Sequence, residues 1–224
     1  YINNNFFLLR TFMDPIINRF ENIKSLINNS NVKIVAVSKT FSYLHIKPLI
    51  DHGHIHFGEN KVQEAQTKWT ETKKVNPEIK LHMIGKLQSN KTKDAVRLFD
   101  YIHSLDSQKL ADLLAKHETI LGKKLKYFIQ VNIGREKQKS GINLESLDDF
   151  YSYCVKEIKI DIVGLMAIPP NDNLQNLYFK QLMELNKSLG LKELSMGMSS
   201  DFEEAIKHDS TFVRIGSSIF GKRI

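Results

Sequence analysis

The strongest constraint on the fold is a regular alternation, from residue 33 to the end of the chain, between short apolar runs and longer segments with helical periodicity. Strand segments are predicted at residues 33–37, 54–57, 80–84, 101–104, 125–133, 161–167, 193–195 and 212–215, and the helices between them end near residues 52, 73, 98, 121, 157, 189 and 208. Strands that alternate with helices pair in parallel, and eight such units close into a barrel. The sequence therefore predicts an α/β fold, a single-domain TIM (β/α)8 barrel, with an open doubly wound sheet as the alternative.

An extra helix is predicted before the first strand, at residues 12–28, with Asn28 as its last residue. The 224 residues, of which 42% are hydrophobic, suffice for one well-packed domain. No linker or repeat interrupts residues 12–224, so we expect this whole range to form the barrel. Residues 1–11 are rich in asparagine and are predicted to be an N-terminal extension that need not be ordered.

The composition excludes several classes of protein. Charged residues make up 25% and aromatic residues 9% of the chain, which is the range of globular proteins rather than disordered ones. The single cysteine, Cys154, rules out an intrachain disulfide and a cysteine-based zinc site, and it favours a reducing, cytoplasmic location, with organellar import left open. No run approaches the ~18 apolar residues of a membrane span, and the N-terminus lacks the basic region and cleavage site of a secretory signal.

The net charge of +7 suits an anionic ligand, and it equally suits nothing more than a lysine-rich surface. A nucleic-acid-binding module has only this charge in its favour, because the chain lacks a recognised binding motif. His45, His52, His54 and His56 cluster in the sequence, but no acidic or cysteine partner completes a metal site. We expect these histidines to be hydrogen-bonded or exposed, and we expect Cys154 to pack inertly.

Functional residues of a TIM barrel gather at the carboxyl ends of its strands. After strands seven and eight stand the turns Gly-Met-Ser-Ser (197–200) and Gly-Ser-Ser (216–218), whose backbone N–H groups and hydroxyls suit a phosphate. The first turn leads into a predicted capping box between Ser200 and Glu203. Ordinary glycine turns followed by helix caps are the alternative explanation.

Lys39 stands at the end of the first strand, where its side chain is expected to point into the mouth of the barrel. Burial disfavours an ammonium and makes the amine nucleophilic toward carbonyls; a lysine that extends to solvent is the alternative. A phosphate site, Lys39 and the strand-end Arg214 in one mouth together favour pyridoxal 5′-phosphate held as a Schiff base.

Seven blocks carry a family resemblance: Ala-Val-Ser-Lys-Thr (36–40), Phe-Gly-Glu-Asn-Lys-Val-Gln-Glu (57–64), His-Met-Ile-Gly-Lys-Leu-Gln-Ser-Asn-Lys (82–91), Val-Asn-Ile-Gly-Arg-Glu-Lys-Gln-Lys-Ser-Gly (131–141), Gly-Leu-Met-Ala-Ile-Pro-Pro (164–170), Leu-Ser-Met-Gly-Met-Ser-Ser-Asp (194–201) and Val-Arg-Ile-Gly-Ser-Ser-Ile-Phe-Gly-Lys-Arg (213–223). In this order, from about residue 12 to the end of the chain, the sequence resembles the pyridoxal phosphate homeostasis proteins.

The resemblance implies a barrel like the N-terminal half of alanine racemase, with the cofactor bound as a covalent aldimine of Lys39. The cofactor-binding residues that it implies are Lys39, Asn60, Met198, Ser199, Arg214, Gly216 and Ser217. Ser199, Gly216 and Ser217 would hold the phosphate, and Arg214 would face the pyridine nitrogen. Asn60 and Met198 would help to line the site.

The sequence departs from the family pattern at three positions. Lys86 stands where the family usually has proline, Ser200 where an acidic residue is common, and Ser217 where threonine is common. Ser217 keeps the hydroxyl, so the expected phosphate site is retained.

Arg214 also bears on activity. Its guanidinium stays protonated, so the ring nitrogen beside it cannot carry a full positive charge, and the ring is then a weak electron sink. A racemase with such a ring needs two placed bases. By resemblance these would be Lys39 and a tyrosine from a further domain of the partner subunit, and we expect that a chain ending at Ile224 does not encode that domain.

Tyr43 or Tyr101 could substitute for this base, but nothing in the sequence supports either. We therefore expect no enzyme but a monomeric carrier that buffers pyridoxal phosphate and hands it to apo-enzymes, in support of vitamin B6 and amino-acid homeostasis. The expected partners include neither nucleic acid nor membrane. An active pyridoxal phosphate-dependent amino-acid racemase or decarboxylase is the alternative.

Overall fold

The computed structural model describes residues 14–28, 31–136 and 138–222. Its strands pair in parallel in chain order, and the last strand pairs with the first, so that the sheet closes. The strands are β1 (Lys33–Val37), β2 (His56–Glu59), β3 (Lys80–Met83), β4 (Tyr101–Leu105), β5 (Lys126–Gln130), β6 (Asp161–Met166), β7 (Glu193–Met198) and β8 (Phe212–Ile215). The predicted TIM barrel is confirmed, and the alternative of an open sheet is wrong.

The helices surround this barrel. They are α1 (Pro15–Ile27), α2 (Tyr43–Asp51), α3 (Val62–Val75), α4 (Thr92–Leu98), α5 (Gln108–Leu121), α6 (Leu147–Ser152), α7 (Gln175–Ser188), α8 (Phe202–Lys207) and α9 (Ser217–Phe220). The extra helix before the first strand is α1. The predicted extension at residues 1–11 and the first two residues of the predicted helix lie outside the described residues.

The sequence around α1 explains both of its ends. The Asp14 carboxylate accepts a hydrogen bond from the backbone N–H of Ile16 (2.7 Å), and Pro15 occupies the first helical position, where its missing N–H costs nothing. The helix closes at Asn28 in a left-handed conformation. Arg19 Nε donates to the carbonyl of Ile219 (2.6 Å), which ties α1 to α9.

Two helical predictions need correction. The segment predicted as one helix at residues 144–157 is a tight turn at Leu144–Ser146, then α6, then one wide turn at Tyr153–Glu157. Ser89 does not cap an α-helix, because Ser89–Lys91 forms a tight turn of its own and α4 begins only at Thr92.

Three strand boundaries also differ from the prediction. Strand two lies two residues later than predicted. Strand five ends at Gln130, and the next residue, Val131, forms an isolated bridge with Ile142 instead of extending the strand. Strand seven runs three residues further than predicted, to Met198. Its register with β8 shifts between Ser195 and Met198, so the strand continues through Gly197, which the sequence suggests as part of a turn.

The barrel interior combines an apolar cluster with polar side chains. Val35, Phe128, Met166 and Phe212 pack together and are fully buried. Because side chains two residues apart on a strand share a face, Arg214 lies on the same inner face as Phe212, one step closer to the carboxyl end. The interior therefore carries a cation directly beneath the mouth of the barrel.

Candidate functional site at the mouth of the barrel

Strand register brings the predicted site residues to one edge of the barrel. Arg214 of β8 lies level with Met198 of β7 and with Val35 of β1, and Val37 of β1 lies opposite Gly58 of β2. The predicted residues that follow these positions are Lys39, Asn60, Ser199, Gly216 and Ser217. All seven predicted residues therefore lie at or near the carboxyl ends of four neighbouring strands.

Lys39 is half-buried in the turn after β1. A buried network of hydrogen bonds and an ion pair holds Ser38, the first residue of this turn. Glu59 Oε1 accepts hydrogen bonds from Ser38 Oγ (2.7 Å), Lys68 Nζ (2.8 Å) and Trp69 Nε1 (2.9 Å). Lys68 Nζ also donates to the carbonyl of Ser38 (2.7 Å). Because Glu59 and Trp69 are fully buried, these bonds form away from water and hold the residue that precedes Lys39.

Thr40, directly after Lys39, has a left-handed backbone with φ of 69°. A β-branched residue adopts this conformation only when its surroundings impose it, at a cost on the order of 1–3 kcal/mol. The Glu64 carboxylate accepts the backbone N–H of Thr40 and so holds the strained residue in place. Lys39 therefore lies between two residues that α3 fixes.

The end of β7 requires a glycine. Gly197 has φ of 91°, and a Cβ at this position would lie 2.6 Å from Ala205 Cβ and 3.0 Å from Phe202 Cα. No other residue type would let α8 pack this closely against the strand. The strand ends at Met198 and the turn that follows begins with Ser199, and both residues are half-buried.

The predicted capping box at Ser200 is wrong. Helix α8 begins at Phe202 with Asp201 as its N-cap residue, and no side chain of the described residues caps it. The Asp201 carboxylate instead accepts the backbone N–H of Met198 (2.6 Å). Within the described part of the chain, the backbone N–H groups of Ser199 and Ser200 have no acceptor, so they remain available to an anion.

The end of β8 lies against β1. A Cβ on Gly216 would lie 3.3 Å from Val37 Cβ, which is tighter than ordinary contact, so glycine allows this turn to approach the strand that leads to Lys39. Ser217 and Ser218 open α9, and the first N–H groups of a helix have no intrahelical acceptor. This turn therefore presents amides and hydroxyls beside β1.

Arg214 is a buried cation, only 4% exposed. Its Nη1 donates to Ser195 Oγ (2.7 Å) and its Nη2 to the carbonyl of Ala167 (2.9 Å). Burial lowers the pKa of Arg214 to about 10, with the Asp201 carboxylate opposing the shift, so the guanidinium stays charged at neutral pH. Arg214 forms no salt bridge with a carboxylate among the described residues.

Asn60 lies on the other side of the mouth, where it lines two cavities of about 360 and 320 Å³. A Cβ on Gly85 would lie 2.6 Å from the carbonyl oxygen of Asn60, so the β3 turn packs directly on this residue. Lys86, which departs from the family pattern, is exposed and lines both cavities. The side of the mouth that Asn60 lines is therefore open and basic.

The histidines near β2 form hydrogen bonds, in agreement with the prediction that they are hydrogen-bonded or exposed. His45 Nε2 lies 2.9 Å from the Phe220 carbonyl, and His52 Nε2 lies 2.9 Å from the Glu21 carboxylate. Across residues 14–28, 31–136 and 138–222, no group of three or more histidine, cysteine or acidic residues is arranged to hold a metal ion. In the same part of the chain, each helix is too short or too polar to span a bilayer.

Cys154 is buried, and burial raises the pKa of its thiol to about 12. The predicted packing of this residue in the core is confirmed.

Comparison with known proteins places this chain in a family. The family described as the N-terminal domain of alanine racemase matches residues 13–223. The chain is also 39% identical over 204 residues to the pyridoxal phosphate homeostasis protein of Vibrio cholerae, covering 87% of this chain and 86% of that protein. This chain belongs to the pyridoxal phosphate homeostasis protein family.

Solved structures agree with this assignment. PipY of Synechococcus elongatus, whose structure was solved with PLP bound, has a TM-score of 0.84 at 34% identity, covering 92% of this chain and 100% of that chain. An alanine racemase of Clostridium difficile, at 18% identity and a TM-score of 0.73, covers 92% of this chain and 56% of that chain and shows the shared fold alone.

Sequence reasoning missed four residues that support the candidate site. Glu59, Glu64 and Lys68 hold the Lys39 turn, and Ser195 bonds to Arg214. An acidic residue at the end of a largely buried strand was the available signal for Glu59. The bonds themselves join residues on different elements, and only the register of the closed barrel brings those elements together.

Proposed function

We propose that this chain binds pyridoxal 5′-phosphate through Lys39 at the mouth of the barrel and acts as a carrier that buffers the cofactor. The observation that carries the proposal is the order of the neighbouring strand ends. Two turns whose amides have no acceptor among the described residues follow β7 and β8, and β8 pairs with β1, the strand that leads to Lys39. The buried cation Arg214 lies on β8, just before its turn. The PLP-bound structure of the similar protein PipY supports the same ligand.

The residues present fit each part of this cofactor. Ser199, Gly216 and Ser217 would hold the phosphate, because glycine lets the backbone approach closely and the turn amides face an anion. Arg214 has no carboxylate partner among the described residues, and an unprotonated ring nitrogen is an acceptor that suits it. We propose that Met198 and Asn60 line the two sides of the same mouth.

The cofactor supplies an aldehyde that condenses with amines and a ring that can accept electrons. Lys39 would hold this group covalently through its amine, with loss of water, and hydrolysis would return the amine and the free aldehyde. A carrier needs only this reversible exchange.

The surroundings of Lys39 favour a carrier over an enzyme. Arg214 keeps its charge at neutral pH and so disfavours a protonated ring, which weakens the ring as an electron sink. Tyr101 is the first residue of β4 and lies at the end of the barrel opposite the mouth. Tyr43 lines a separate cavity with Thr40 and Glu64, so neither tyrosine supports a second base opposite Lys39.

Isotope exchange and cofactor transfer test this function together. The protein, loaded with pyridoxal phosphate, is incubated with L-amino acids in deuterated water, and exchange at Cα is followed by NMR. We expect no exchange above that of free pyridoxal phosphate, but activation of an added apo-enzyme that requires the cofactor. Robust exchange that disappears in Lys39→Ala would establish the racemase or decarboxylase alternative instead.

Lys86→Ala is the matched control, because it removes an equal charge from the same mouth and leaves Lys39 in place. We expect this variant to transfer the cofactor as the unaltered protein does.

We further propose that the recipients are apo-enzymes of a reducing, cytoplasmic compartment and that the carrier acts as a monomer. The buried, unreactive Cys154 supports the reducing compartment.

A further inference from the structure

A continuous chain of side-chain hydrogen bonds crosses the barrel interior and ends at Arg214. His56 Nδ1 lies 2.9 Å from His82 Nε2, and His82 Nδ1 lies 2.9 Å from His103 Nε2. His103 Nδ1 lies 2.9 Å from Ser195 Oγ, which accepts from Arg214 Nη1 at 2.7 Å. These side chains come from β2, β3, β4, β7 and β8, so the closed barrel alone brings them together.

Arg214 favours one direction for the bonds in this series of side chains. A guanidinium only donates, so Ser195 Oγ accepts from it. Among the described residues, His103 Nδ1 is the one other partner of the Ser195 hydroxyl, and donation to it is the arrangement that leaves the hydroxyl proton paired. In that arrangement His103 carries its proton on Nε2 and donates to His82, which in the same way donates to His56.

The surroundings keep the histidine rings of this hydrogen-bonded series neutral, so that each ring has one N–H donor and one acceptor nitrogen. Burial holds the pKa of His82 and of His103 well below the usual range, and the nearby charge of Arg214 lowers that of His103 further. The rings are also fixed by stacking, since His103 lies 4.3 Å from Phe128 and His82 lies 4.3 Å from Tyr101, centroid to centroid. Neutral, fixed rings present an acceptor to Ser195.

We propose that Ser195 and His103 are positioning residues that fix the Arg214 guanidinium for the ring nitrogen of pyridoxal phosphate, and that His82 holds His103 in the required tautomer. The inference rests on the proposed function for its cofactor part. Arg214 is anchored by two acceptors, and the Ala167 carbonyl alone leaves the plane of the guanidinium free to rotate. Ser195 supplies the second anchor, and the histidines keep its lone pair turned toward Arg214.

The bond directions are tested without any cofactor. Nitrogen-15 NMR of the histidine rings in the unloaded protein at pH 7 distinguishes the two neutral tautomers and the imidazolium. We expect His103 and His82 to be neutral, with the proton on Nε2 and none on Nδ1. A proton on Nδ1 of His103 would overturn the proposed chain whatever the protein binds.

The positioning role is tested on the loaded protein with Ser195→Ala, Ser195→Thr and Ser104→Ala. Ser104 is a matched control, because it is also a buried strand serine and its hydroxyl has no partner among the described residues. We expect Ser195→Ala to weaken pyridoxal phosphate binding about tenfold and to shift the absorption maximum of the bound cofactor. Ser195→Thr keeps the hydroxyl and should restore both values, and Ser104→Ala should change neither.

Each outcome is decisive. A Ser195→Ala protein with unaltered affinity and spectrum would overturn the positioning role while the proposed function stands. If the unaltered protein takes up no cofactor, the proposed function fails and the positioning role fails with it, whereas the NMR result still decides the bond directions. Thermal unfolding of each unloaded variant separates loss of the fold from loss of the site.

Discussion

Buried charged side chains determine where Lys39 lies. Glu59 and Lys68 bond to each other at 2.8 Å, with side-chain exposures of 0% and 6%, and both bond to Ser38 beside Lys39. Removing one member of such a pair leaves the other charge buried and uncompensated, which costs more than the pair contributes. The stability of the fold and the placement of the proposed reactive amine are therefore linked at these two residues.

We predict that Lys68→Met and Glu59→Gln each lower the free energy of unfolding by about 3–5 kcal/mol. The double variant should lose clearly less than the sum of the two, because neither Glu59 nor Lys68 then leaves the other charge buried without its partner. Urea unfolding of the four proteins measures this coupling. Lys74→Met is the control on the same helix: its pair with Glu71 is largely exposed, so a loss of no more than about 1 kcal/mol is expected. Additive losses would refute the coupling.

The sequence allowed Lys39 and Arg214 to be selected as site candidates, because a charged residue at the end of an apolar strand needs only a strand assignment to be noticed. Ser195 and Glu59 could not be assigned partners in the same way. Their bonds reach Arg214 on β8 and Lys68 on α3, and those contacts depend on register, which no local pattern specifies.

Among the elements, the junction of β7 and α8 depends on one residue type. Gly197 combines a φ of 91° with a contact that leaves no room for a Cβ. The sequence interpretation of this glycine as a turn ended the strand too early, because the irregular register between β7 and β8 lets the strand continue through it. Local patterns gave the existence of the strand, and pairing decided its length.

We predict that Gly197→Ala is destabilising by more than about 2 kcal/mol and weakens binding of inorganic phosphate, since α8 must move away from the strand. Gly190→Ala is the matched control: φ is 69° there, but a Cβ would meet nothing within 4 Å. We expect this control to cost about 1 kcal/mol and to leave phosphate binding unaltered. Equal effects of the two substitutions in urea unfolding and calorimetry would disprove the steric role of Gly197.

At the scale of the whole molecule, closing the barrel buries histidines that no helix or strand pattern marks as special. His54, His56, His82 and His103 all have lowered pKa values, mainly because burial penalises the charged ring; the pKa of His54 and that of His56 are about 4. The alternation of strands and helices predicted the barrel itself. It could not predict which polar side chains the interior would hold.

These histidines make the stability depend on pH in a stated direction. At pH values below about 6.5, the ordinary pKa of histidine, these side chains are protonated in the unfolded chain but stay neutral in the folded protein. The free energy of unfolding should therefore fall as pH falls from 7 to 5, by up to about 1.4 kcal/mol per pH unit for each histidine. Urea unfolding at constant ionic strength measures this slope, and His56→Gln should reduce it. A stability that does not change between pH 7 and pH 5 would contradict the prediction.

The central claim concerns one covalent bond, and reductive trapping tests it most directly. The protein is incubated with pyridoxal phosphate, reduced with borohydride, digested and mapped by peptide mass spectrometry, beside Lys39→Arg and the control Lys86→Arg. We predict one pyridoxyl group per chain on Lys39 in the unaltered protein and in Lys86→Arg, and none in Lys39→Arg. A label spread over other lysines, or an unlabelled Lys39, would contradict the account.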